Sequence, residues 1–177
     1  MSEGIIVRNI ALAEMPAKPL EVEVSAAEKK RLAEAYDLRE VKSLTASVTL
    51  EPVGGGVAVE GRILADIVQT CVVSLVPVDE HIDEPFAVRF VRDQNRLPKP
   101  GSEIVIDPAA DDPPEPLESN SIDIGALVEE YFALAINPYP RAPGAELPAD
   151  YSGVNDSAQQ SPFAALAKLS KPGGRTS

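Results

Sequence analysis

Tryptophan is absent from this 177-residue chain, cysteine and histidine occur once each, and aromatic residues make up only 5% of it. Each scarcity removes a class of chemistry. A single cysteine, Cys71, excludes an intrachain disulfide and any zinc site built from a cysteine cluster. Cationic side chains are also in short supply: 16 Lys and Arg stand against 28 Asp and Glu, for a net charge of −12. At that charge bulk electrostatics oppose coating nucleic acid with the whole surface, but permit a local basic patch or a basic protein partner. Long apolar runs are missing. No window approaches the ~18 uninterrupted apolar residues of a membrane span, and Met1-Ser-Glu-Gly4 lacks the basic lead-in of a secretory signal. The expectation is a soluble, cytoplasmic protein with neither membrane nor DNA as partner.

What is present suits one α+β domain. Hydrophobic residues at 44% and charged residues at 25% are ordinary for a globular protein, and the length allows a sizeable core. Ile5-Ile-Val7 suggests an extended edge strand. Leu20, Val22 and Val24 alternate with Glu21 and Glu23 as a short half-buried strand. Ser25-Ala-Ala-Glu28 is a capping box opening a helix that ends near Asp37, with Leu32 and Tyr36 on one face.

Leu44, Ala46, Val48 and Leu50 then alternate with Ser43, Thr45, Ser47 and Thr49, the pattern of an antiparallel strand with one wet face. Pro52-Val-Gly-Gly-Gly56 supplies a hairpin turn rather than a phosphate loop, because no Lys-Ser/Thr follows. Val57, Val59 and Ile63 resume the alternation, with Glu60 and Arg62 outward. Residues 68–78 are more uniformly apolar and predict a strand covered on both faces, with a turn at 79–83 and a further strand around Phe86, Val88 and Phe90. The whole predicts an antiparallel, partly barrel-like sheet.

From 93 to 118 the chain is rich in proline and acids and is expected to be a mobile acidic loop. Ile124, Leu127, Val128, Tyr131, Leu134 and Ala135 fall at helical spacing behind an Asp123 N-cap, and Asn137-Pro138 ends that helix. The expected organisation is a domain over 1–140, a flexible linker over 141–160 and a tail over 161–177. In the tail, Phe163, Leu166 and Leu169 mark a short amphipathic C-terminal helix that either docks on its own domain or serves a partner as a groove-binding peptide.

Candidate chemistry is sparse. His81, read in a hydrophilic turn beside Asp79, Glu80 and Asp83, is placed to be solvated, although neighbouring carboxylates would raise its pKa for a basic role. Cys71 lies in an apolar run with no base nearby and is expected to be a buried thiol of raised pKa. Glu129 and Glu130 splay by ~100° around a helix and read as a solvated face. No catalytic residue, metal site or cofactor emerges. The densest basic run in the body is Arg89, Arg92, Arg96 and Lys99, which would contact RNA phosphates if a bend near Val91 brought its members together.

Four segments, in order, resemble the YceD family of large ribosomal RNA subunit accumulation proteins. They are Val68-Gln-Thr-Cys71, Phe86-Ala-Val-Arg-Phe90, Ile122-Asp-Ile-Gly-Ala-Leu-Val-Glu129 and the tail Ser161-Pro-Phe-Ala-Ala-Leu-Ala-Lys-Leu169. The resemblance implies a non-enzymatic bacterial factor needed for accumulation or processing of 23S ribosomal RNA, with that RNA or its precursor complexes as partner. Many members carry a Cys-x-x-Cys pair where this chain keeps only Cys71, so a metal role proposed for them does not extend here. An alternative fits the acidic charge: an adaptor or chaperone that binds a basic ribosomal protein without touching RNA. A small hydrolase built on His81 is the third expectation.

Overall fold

The computed structural model describes residues 4–93 and 113–146. The chain forms two compact units, Met1–Ala142 and Pro143–Ser177. Of the second, residues 143–146 are described, with a turn that places Gly144 at φ 73°. The linker to residue 160 beyond that point, the expected tail helix, and the 94–112 part of the expected 93–118 loop lie outside the described residues.

The first unit is α+β. Its elements are β1 (Asn9–Ala11), a 3-10 turn (Leu12–Glu14), β2 (Leu20–Glu23), α1 (Ala26–Ala35), β3 (Glu40–Val53), β4 (Gly56–Thr70), β5 (Pro77–Val91), β6 (Glu115–Pro116), β7 (Ser121–Asp123) and α2 (Ile124–Ala135). β2 to β6 form one sheet in chain order, antiparallel except where β6 runs parallel to the end of β5. Among the described residues β2 and β6 are the outer strands of this sheet, and it does not close into a barrel. β1 and β7 make a separate antiparallel pair.

Strand alternation sorts the sheet into two faces. Leu44, Ala46, Val48 and Leu50 of β3 are buried, as are Val57, Val59, Ile63 and Ile67 of β4, while Thr45, Glu60, Arg62 and Asp66 are exposed. Leu32 of α1 and Ile124, Leu127, Val128 and Phe132 of α2 close the core over the buried face. At ~25 cal/mol per Å² of apolar surface buried, this one-sided burial is the main stabilising term. The β3–β4 hairpin turns through Gly54-Gly55, and Gly55 has φ 90°, a conformation that costs glycine nothing.

Two expected strands shift. β4 stops at Thr70, and residues 71–76 form the turn, because β5 must return beside β4 from Pro77 to keep Ile82 and Phe86 in the core. Residues 79–83 are therefore strand, not turn. Uniform apolarity at 71–76 marks a turn that exposes aliphatics instead of a strand buried on both faces. Ile5-Ile-Val7 is not a strand; the pairing of β1 begins at Asn9. Leu134 lies on the outer side of α2, 73% exposed.

The N-terminal segment is threaded against α2 by main-chain hydrogen bonds. Asp123 Oδ1 caps α2 by accepting from Gly125 N (3.0 Å) and Ala126 N (3.2 Å), and also accepts from Arg8 N (2.9 Å). Glu129 Oε2 accepts from Ile5 N (2.7 Å) and Ile6 N (3.1 Å), and Tyr36 donates its hydroxyl to Glu129 Oε1 (3.3 Å). Glu129 is thus a half-buried anchor, correcting its reading as part of a solvated face: the N-terminal segment covers that side of the helix. Gly125 lets the chain approach this closely, since a Cβ there would lie 2.5 Å from Ile6 O. The capping box at Ser25 and Glu28 forms as expected, and Arg8 also grips Glu28 with both guanidinium ends (2.9 and 3.2 Å).

Gly125→Ala is expected to push the N-terminal segment off α2 and destabilise the fold by about 1–3 kcal/mol, measured by urea unfolding. Glu28 should make stability acid-sensitive. Hydrogen bonding from Arg8, joined by Ser25, holds its carboxyl down at about 2, below the usual 4.5. A depressed folded-state pKa contributes stability above the unfolded value and loses it as pH falls from about 4.5 towards about 2. Glu28→Gln should flatten that part of the stability–pH curve, and an unchanged curve would show that the pair contributes nothing.

Candidate interaction surfaces

The outer face of the sheet is polar and acidic. Cross-strand register brings Glu21, Ser47 and Arg62 into one row, and Ser43, Asp66 and His81 into another. Arg62 forks onto Asp83, and Lys42 reaches Asp79 at 2.6 Å. Ser43 Oγ donates to Asp66 Oδ2 (2.8 Å), while Asp66 Oδ1 faces His81 Nδ1 (2.8 Å). These bonds, His81 first, draw the Asp66 carboxyl below its usual range. The order of groups decides their chemistry: the carboxylate sits between serine and histidine, so the imidazole is not in contact with the hydroxyl it would have to activate. Among the described residues no group of three or more His, Cys, Asp or Glu is arranged to hold a metal ion.

Of the expected basic run, Arg89 and Arg92 are among the described residues. Arg89 stands on the acidic outer face opposite Ala58, beside Glu60 and Glu51 in the register. Arg92 lies past the end of β5, its N–H donating to Gly55 O, and lines an open pocket with Leu117, Glu118, Ser119 and Asn120. Arg96 and Lys99 lie outside the described residues, as do Phe163, Leu166 and Leu169 of the tail.

A second surface, at the opposite end of β4 and β5, was not read from the sequence. The 71–76 turn exposes Val72, Leu75 and Val76, and Leu75 is held in the left-handed region at φ 62°, a strain of roughly 1–2 kcal/mol for a side-chain-bearing residue. The turn is clamped. Cys71 N donates to Val76 O (2.9 Å), Leu75 N to Cys71 O (3.0 Å) and Arg39 Nη2 to Leu75 O (2.9 Å).

The segment after α2 is fastened to this turn. Gln69 Nε2 donates to Asn137 O (2.9 Å), Val72 N to Pro140 O (2.9 Å) and Ala142 N to Cys71 Sγ (3.3 Å). Between those bonds Pro138 and Pro140 flank Tyr139, which is 72% exposed. A tyrosine between two prolines could have drawn notice, since neither neighbour can donate a backbone hydrogen bond.

Cys71 is wholly buried, yet its thiol pKa is pulled down to about 6, first by the Ala142 N–H and then by Ser74. Burial alone, the basis for expecting a raised value, is outweighed because both donors favour the thiolate. Burial still shields the sulfur from reagents. Cys71→Ala should leave the Ser74 and Ala142 amides without an acceptor and speed their hydrogen exchange, at a cost of about 1 kcal/mol per lost bond; equal exchange in both proteins would show that the sulfur does not hold the segment.

Fold and surface together define a small α+β protein with two contrasting surfaces, one an acidic sheet face, the other a clamped apolar turn. Against known families, the profile described as large ribosomal RNA subunit accumulation protein YceD matches residues 59–170. That is more than half of the chain, which belongs to the YceD family. No curated protein and no solved structure matches it. Among the described residues no helix is long and apolar enough to cross a membrane.

Proposed function

We propose that this protein is a non-enzymatic, cytoplasmic ribosome-biogenesis factor that supports the processing or accumulation of 23S ribosomal RNA. The observation carrying the reading is the family match over residues 59–170, whose description names that RNA's subunit. The surfaces support a binding role: the outer sheet face offers salt-bridged ladders and no nucleophile–base contact among the described residues. Its partner in this reading is the large-subunit RNA or its precursor complexes.

A second reading has its own observation. The outer face carries Glu21, Glu51, Glu60, Asp66, Asp79 and Asp83 on one open surface. Such a face attracts basic protein segments and repels RNA, which suits an adaptor for a basic ribosomal protein. Cells lacking the protein should show a selective fall in 23S relative to 16S RNA, restored by the wild-type chain. An unchanged ratio would remove the assignment. A tagged pull-down divided into RNase-treated and untreated halves separates the readings: ribosomal proteins lost after RNase support RNA engagement, and proteins retained support the adaptor.

A further inference from the structure

We propose that the 71–76 turn, together with Tyr139, Arg141 and Arg39, is a binding site for single-stranded RNA. The inference rests on the preceding reading and deepens it by naming where this chain meets RNA.

Exposed large hydrophobics are few on the described surface, and Val72, Leu75, Val76 and Tyr139 gather at this end of the sheet. They are displayed by a fixed backbone. Asn137 Oδ1 accepts from Tyr139 N (2.9 Å), and the clamps to Cys71, Val72 and Gln69 hold the chain on both sides of the ring. With the backbone beneath the ring already fixed, only the side chain needs ordering when a base stacks on it.

Charge identifies the occupant. Arg8, Arg62, Lys30 and Lys42 all meet carboxylates. Arg141 is exposed and has no carboxylate partner among the described residues. Arg39 spends its Nε on Thr70 Oγ1 (2.8 Å) and one Nη2 bond on Leu75 O, with no carboxylate among the described residues. In a chain of net charge −12, these two guanidiniums without carboxylate partners favour an anion at this end, where the half-buried Glu80 beside the Asn137 backbone has its carboxyl pushed up by burial. A basic ribosomal protein would be repelled here and drawn to the outer sheet face.

The shape favours single strands over duplexes. An aliphatic turn beside one ring presents no long row of cations to track a duplex, but it offers a stacking surface to unpaired bases and guanidiniums to the flanking phosphates. Arg92 cannot belong to the same small patch, because it sits at the far end of the strand pair. Fifteen residues of β4 span roughly 50 Å at ~3.3 Å each.

The test uses the full chain, with fluorescence anisotropy of a labelled oligoadenylate of about 12 nucleotides and, in parallel, rescue of 23S RNA in cells lacking the protein. The wild type is expected to bind the single strand better than its duplex, more weakly as salt rises. Tyr139→Ala should weaken binding about tenfold, Tyr139→Phe should retain it, and Arg141→Glu should weaken it and flatten the salt dependence. Because Tyr139 and Arg141 are exposed, the variants should fold, as circular dichroism would verify.

Unchanged binding in Tyr139→Ala and Arg141→Glu, or its loss in Arg89→Glu alone, overturns the site. Rescue in cells by a chain that binds no RNA overturns it too, leaving the ribosomal reading intact and the turn to a protein partner. Failure of the wild-type chain both to bind RNA and to restore 23S RNA removes the ribosomal reading and the inference with it, whereas joint loss of binding and rescue in Tyr139→Ala supports the site.

Discussion

The structure depends on how α2 receives the N-terminal segment. Backbone N–H groups at Ile5, Ile6 and Arg8 have no strand to bond to, and a buried unpaired N–H is costly. The carboxylates of Asp123 and Glu129 take all of them, and Gly125 removes the Cβ that would keep the chain away. Once seated, Ile6 is fully buried and the segment closes the core that α2 and the sheet share. The quoted Ile122–Glu129 segment is therefore explained by chain packing, with three of its residues spent on one contact.

With the core closed on one side only, the other face of the sheet is free to specialise. Its serines, threonines and charges give the sheet a polar, acidic outer face. The same geometry forces the β4–β5 connection into a short turn of apolar residues, because both long strands must run in register along the core. The clamped aliphatic turn is thus a consequence of sheet register, and the proline-bounded Tyr139 segment is tied to it by one main-chain bond and by the Gln69 and Cys71 side chains.

Much of this was readable from local pattern. The capping box at Ser25–Glu28, the alternation from Leu44 to Leu50, the glycine hairpin and the Asp123 cap all follow from contacts within a few residues, and each stands where expected. Residues 71–76 were misread because a continuous apolar run does not say whether it is buried. Glu129 was misread because its donors lie 93 to 124 positions away. Of the basic run, Arg89 sits in regular pairing with β4 and Arg92 just past the strand end, a difference that residue spacing alone does not show.

The sequence alone determined the class of fold, the acidic charge, the lack of a cysteine or histidine cluster and the family resemblance, since these depend on composition, short-range periodicity and ordered motifs. Tertiary structure decided which charges are neutralised, where apolar residues remain exposed and what the α2 carboxylates hold. Those properties are set by residues far apart in the chain that meet only when the sheet, its two helices and the N-terminal segment close around one core.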